Sequence, residues 1–144
     1  MRTLKRQTQK KIGANKIDPV VHFEMPYEDH NRLTNFYSKT FGWKMNKLGS
    51  EMGDYILAGT TETDENQMIK TPGNINGGFY PKTADAPSPS IVIAVDDVHS
   101  SMKKIAESGG KVLGEPVEIP GTGQYVSFLD TEGNRVSILQ PVKM

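Results

Sequence analysis

A chain of 144 residues is long enough to fold as one domain with a substantial core. It has 17 basic and 17 acidic residues and no cysteine, which excludes disulfides, thiolate metal sites and cysteine nucleophiles. No apolar run approaches the roughly 18–20 residues of a membrane helix, and the basic start lacks the apolar core of a secretory signal. The expected location is therefore cytoplasmic, with no membrane partner.

Charge is unevenly placed. Residues 1–16 hold six basic groups and no acid, which leaves eleven basic against seventeen acidic residues in the body. An acidic body argues against nucleic-acid binding. The first sixteen residues lack apolar periodicity and aromatic side chains, and read as a basic flexible tail.

From Ile17 the pattern turns regular. Residues 17–25 alternate as a strand, with Val21, Phe23 and Met25 on one face and Val20, His22 and Glu24 on the other. Pro26 ends that strand, and Asp29 is placed to cap a helix whose stripe is Leu33, Phe36, Tyr37, Thr40 and Phe41, with Gly42 as its stop. Strands follow at Trp43–Leu48, Tyr55–Ala58 and Ile75–Tyr80, the last containing Gly77 and Gly78, which imply a bulge or a close approach. Residues 82–89 have a linker composition. Ser90–Val95 then alternates again, and Asp96 or Asp97 caps a second helix with the stripe Val98, Met102, Ile105 and Ala106. Lys111–Leu113, Tyr125–Leu129 and Arg135–Leu139 are three further strands. Gly121-Thr122-Gly123 lacks a P-loop lysine and a following helix, and reads as a hairpin turn.

The order is therefore βαβββ twice, an internal repeat. The expected fold is α+β: one domain over 17–141, with module 1 at about 17–81, a linker at 82–89 and module 2 at about 90–141. Each module has one helix, which covers one face of its sheet, so the other faces are left to enclose a cleft between curved mixed sheets.

The strand "HFEMP", the helix ending "NFYSKTFGW" and the closing "FLDTEGNRVSILQP" resemble the vicinal oxygen chelate superfamily: glyoxalase I, bleomycin- and fosfomycin-resistance proteins and extradiol dioxygenases. The resemblance covers about residues 17–141. It implies the βαβββ repeat, a homodimer, and four metal-ligand positions, which carried over fall on His22, Gly77, Ser90 and Ser137. Of these only His22 is a retained ligand type. Gly77 has no side chain, and neutral hydroxyls are poor ligands beside imidazole and carboxylate. No metal or other cofactor is expected on these residues.

The candidate ligand-binding residues are His22, Glu24, Tyr80, Ser90, Tyr125, Ser127 and Ser137, with His22 and Glu24 the candidates for any catalysis. The first reading is a small-molecule binding protein of the glyoxalase/bleomycin-resistance kind, taking an apolar or aromatic ligand in the cleft without a metal. The alternatives are a metal-assisted lyase, isomerase or dioxygenase using His22 and Glu24, and a structural dimer with a filled cleft.

Overall fold

The structure, a computed structural model, describes residues 16–143. The expectation for the basic tail thus lies outside the described residues, apart from Lys16, which pairs with Asp18 at 2.6 Å and Asp96 at 3.5 Å.

Module 1 consists of β1 (Val20–Tyr27), α1 (His30–Phe41), β2 (Lys44–Lys47), β3 (Ile56–Gly59) and β4 (Asn76–Pro81). Module 2 consists of β5 (Ser90–Ala94), α2 (Val98–Glu107), β6 (Lys111–Ile119), β7 (Gly123–Leu129) and β8 (Arg135–Pro141). All eight strands join one mixed sheet in the order β2-β3-β4-β1-β5-β8-β7-β6. Within each module the first and last strands pair in parallel, β1 with β4 and β5 with β8. The modules meet where β1 and β5 pair antiparallel, so two half-sheets become one. No helix among the described residues is long and apolar enough to cross a membrane.

Both helices begin on an aspartate that accepts from the first turn. Asp29 takes the Arg32 amide at 2.9 Å, and Asp97 takes those of His99 and Ser100 at 3.0 and 3.1 Å. Gly42, with φ of 73°, ends α1 in the left-handed region that glycine enters without strain.

The helices and the two hydrophobic clusters beneath them lie on one face of the sheet. Under α1, Ile56, Ala58 and Phe79 are buried with Phe23, Met25, Leu33, Tyr37 and Trp43 around them. Under α2, Val95, Val98, Val126 and Ile138 form the second cluster with Met102 and Ile105. The α1 stripe is wider than the sheet can cover. Leu33 and Tyr37 pack down, while Phe36 and Phe41 stay 54% and 60% exposed.

Several element boundaries differ from the sequence reading, among them the start of β1 at Val20 and not at Ile17. Pro26 does not end β1, which continues through Tyr27 beside β4. The third-last strand does not stop at Leu113 but runs to Ile119, because a register shift between Leu113 and Val117 absorbs Gly114 (φ 94°) and Pro116.

The repeat also fixes a register that sequence alone misplaced. Superposing the caps Asp29 and Asp97 sets His22 on Ser90, Phe23 on Ile91 and Glu24 on Val92, and Phe23 and Ile91 are themselves paired. Glu24 pairs with Gly78, and Val92 pairs with Ser137. Gly78, not Gly77, is therefore the counterpart of Ser137.

Candidate functional site

Alternation along the strands sends His22, Glu24, Tyr125, Ser127 and Ser137 to the face that no helix covers. His22, Val92, Ser137 and Ser127 form one row across β1, β5, β8 and β7. Glu24 stands on the adjacent row between Gly78 and Ser90.

A hydrogen-bond chain ties these residues together. The Ser127 and Ser137 hydroxyls lie 2.8 Å apart. Ser137 donates to the Tyr125 hydroxyl at 2.8 Å, and Tyr125 donates to Glu24 Oε1 at 2.5 Å. From the other side, Tyr55 donates to Glu24 Oε2 at 2.9 Å. Tyr55 has only one proton to give, so its 3.0 Å contact with His22 Nε2 requires Nε2–H to be the donor. Every donor thus runs toward one acceptor, the Glu24 carboxylate, which is 8% exposed.

The Tyr125–Glu24 bond also shows that the sheet curls toward this face. The two residues lie three strands apart, and their rows are separated by the four-residue step from Ser90 to Ala94 along β5. In a flat sheet that is about 14 Å across and about 13 Å along, further than a tyrosine and a glutamate reach together. The contact closes only over a concave surface. Its walls include Leu57, opposite Gly78 in register and 41% exposed, and Val117, opposite Tyr125 and 61% exposed.

Electrostatics follow from burial beside the carboxylate. Burial pushes the His22 imidazole below its ordinary value and outweighs the raising effect of Glu24. The same two influences act together on Tyr55 and Tyr125, whose phenols are held well above the ordinary tyrosine range by burial first and the Glu24 charge second. At neutral pH His22 and both phenols are therefore uncharged.

Tyr55 was not among the residues expected here. It reaches the centre of the site because Gly78 lacks a side chain: a Cβ on Gly78 would collide with the Tyr55 ring and hydroxyl. Gly77 faces the other way, against the ring of Phe23. Glycine at 78 was the available signal, but only with the strand register in hand does it point to Tyr55.

Two other expected residues stand apart from the chain of bonds. Ser90 is opposite Glu24 in register but donates to the Arg135 carbonyl at 2.8 Å. Tyr80 lies on the same face and donates to the Ser88 carbonyl at 2.7 Å.

These donors do not fit a divalent metal. The four positions are His22, Gly78, Ser90 and Ser137. Gly78 offers no ligand and its space is filled by a phenol. His22 Nε2 carries a proton, and both Glu24 oxygens accept from tyrosines. Among the described residues no group of three His, Asp or Glu side chains gathers at metal-binding range.

The profile of the Glyoxalase/Bleomycin resistance protein/Dioxygenase superfamily matches residues 19–138. A glyoxylase-like domain-containing protein of Didymella fabae is 31% identical over 120 residues, covering 80% of this chain and 88% of the relative. Among solved structures, Streptomyces coelicolor methylmalonyl-CoA epimerase in complex with 2-nitronate-propionyl-CoA superposes with a TM-score of 0.64 at 14% identity, covering 89% of this chain and all of the other. A hypothetical protein of Bacillus halodurans C-125 does so with a TM-score of 0.63 at 12% identity, covering 90% and 98%. At such identities the solved structures speak to the fold alone.

Proposed function

The chain belongs to the Glyoxalase/Bleomycin resistance protein/Dioxygenase superfamily, and from that premise we propose that its concave face binds a small molecule with an apolar or aromatic body, without a resident metal. The observation that carries this reading is the state of Glu24. A carboxylate that accepts from Tyr55 and Tyr125 on its two oxygens is organised by hydrogen-bond donors rather than offered to a cation.

The rest of the surface supports it. Exposed Leu57 and Val117 supply apolar walls, while the Ser137–Tyr125–Glu24–Tyr55–His22 chain supplies a polar floor. Small-molecule sites combine these two features, with few polar groups fixing orientation. Enzymes of this superfamily that stabilise an enolate-like anion use a Lewis acid to do so. Here a lone buried carboxylate would stand against developing negative charge, which favours binding over that chemistry.

Differential scanning fluorimetry of the full chain against a library of apolar and aromatic compounds, with a chelator present throughout, tests the reading. Stabilisation that survives the chelator and weakens in Tyr125→Phe is expected. A library without a single stabilising compound would overturn the proposal.

A further inference from the structure

The concave face holds its own phenol. Tyr55 lies over Gly78, donates to Glu24 Oε2 at 2.9 Å and accepts from His22 Nε2 at 3.0 Å. A ring and a hydroxyl thus already occupy the room that the missing side chain of Gly78 leaves on this face. Resting on the small-molecule reading, we infer that the ligand presents a phenol-type hydrogen-bond donor to Glu24, in the place the Tyr55 hydroxyl holds, and is not an anion.

Three observations lead there. The first is the acceptor. Glu24 is buried and accepts a tyrosine proton on each oxygen, so any group that displaces a tyrosine from it must replace the lost proton donor, or leave a carboxylate oxygen unpaired out of water. An ether or carbonyl has no proton to give, and a carboxylate or phosphate would add a second negative charge beside the first. The surrounding cations do not offset that repulsion. His22 is a neutral donor to Tyr55, and Arg135 turns its guanidinium toward the Asp85 carbonyl at 3.5 Å.

The second is the difference between the two tyrosines. Tyr125 sits within β7 and is held from behind by Ser137, which is 2% exposed and itself bonded to Ser127. Tyr55 stands at the end of a loop, just ahead of β3. Its backbone is held by loop bonds, from the Leu48 amide at 2.8 Å and to the Met52 carbonyl at 3.4 Å, and not by a strand ladder. Tyr55 is the one of the two tyrosines that stands outside the sheet's regular pairing.

The third is the balance of bonds. A phenol entering over Gly78 accepts from His22 and donates to Glu24 as Tyr55 does, so the exchange leaves no buried group without a partner. The ring then lies against the apolar wall that begins at Leu57. A site built around a hydroxyl discriminates strongly against analogues that lack it, because its own polar groups are then left unmade.

The test is an amide-resolved NMR titration of the full chain with three matched compounds: 4-methylphenol, its methyl ether 4-methylanisole, and 4-methylbenzoate. The phenol is expected to shift the amides of His22, Glu24, Tyr55 and Tyr125. It should bind at least about tenfold more tightly than the ether, the discrimination expected for one bond to a charged acceptor, and the benzoate should not bind. Glu24→Gln should collapse the preference for phenol over ether, and Tyr55→Ala should tighten the phenol more than the ether. If Tyr55→Ala does not fold, the ranking on the unaltered chain and on Glu24→Gln decides. Ether or benzoate binding within about threefold of the phenol would overturn the donor assignment and leave the small-molecule reading standing. Binding of none of the three also overturns the assignment, while stabilisation across the broader library separately judges the small-molecule reading.

Discussion

The Tyr55 ring stands where a side chain on Gly78 would be. One residue earlier, Gly77 makes room on the opposite face for the ring of Phe23. The paired glycines of β4 thus serve two surfaces, one packing the core under α1 and the other opening the concave face to a tyrosine. The second arrangement places a phenol between His22 and Glu24, where it bonds both.

Gly78→Ala should therefore act through Tyr55. The new methyl displaces the phenol and breaks its bonds to His22 and Glu24, and overpacking of this kind costs about 1–3 kcal/mol. Urea unfolding should show a lowered midpoint with an unchanged slope. Combining Gly78→Ala with Tyr55→Ala should cost less than the two single losses added together, since each substitution removes what the other clashes with.

Tyr125→Phe should destabilise by about 2 kcal/mol, the scale of a hydrogen bond to a charged acceptor whose oxygen, Glu24 Oε1, is then left buried without its donor. Tyr80→Phe serves as the comparison. Its hydroxyl bonds an exposed linker carbonyl on Ser88, so the same deletion should cost well under about 1 kcal/mol. Chemical denaturation of both variants checks the difference, and equal losses would show that Tyr125 has no special role in joining the two modules.

Stability should fall away on both sides of neutrality. His22 has a folded-state value below its ordinary 6.5, so between the two values the unfolded chain binds more protons, and this contribution is lost as pH falls below about 6.5. Tyr55 and Tyr125 are raised above the ordinary 10.0, so above about pH 10 the unfolded chain releases protons that the folded one keeps. Their contribution is complete below that value and is lost as pH rises past it. Thermal unfolding across pH 5–11 should show a plateau between these limits, and the alkaline fall should be shallower in Tyr55→Phe.

Much of this site was legible because strands alternate. His22, Glu24, Tyr125, Ser127 and Ser137 reached one face through period-two spacing, and the two capping aspartates marked the repeat. What stayed hidden depends on register. The carried-over family positions paired Gly77 with Ser137, whereas the observed pairs Glu24–Gly78 and Val92–Ser137 move the match by one residue and turn it to the other face. Tyr55 was hidden for a related reason. It precedes its strand, and nothing local shows that it will cross β4 to reach Glu24.

Whether the concave face holds a small molecule without a metal can be measured on the intact chain. The most direct measurement is calorimetric titration of the chelator-treated chain with zinc, nickel, manganese and iron(II), followed by the fluorimetric ligand screen with and without each ion. No stoichiometric uptake that depends on His22 is expected, and ligand stabilisation should be of equal size in chelator and in metal. Tight one-to-one binding of an ion that disappears in His22→Ala, with ligand stabilisation appearing only when that ion is present, would contradict that expectation.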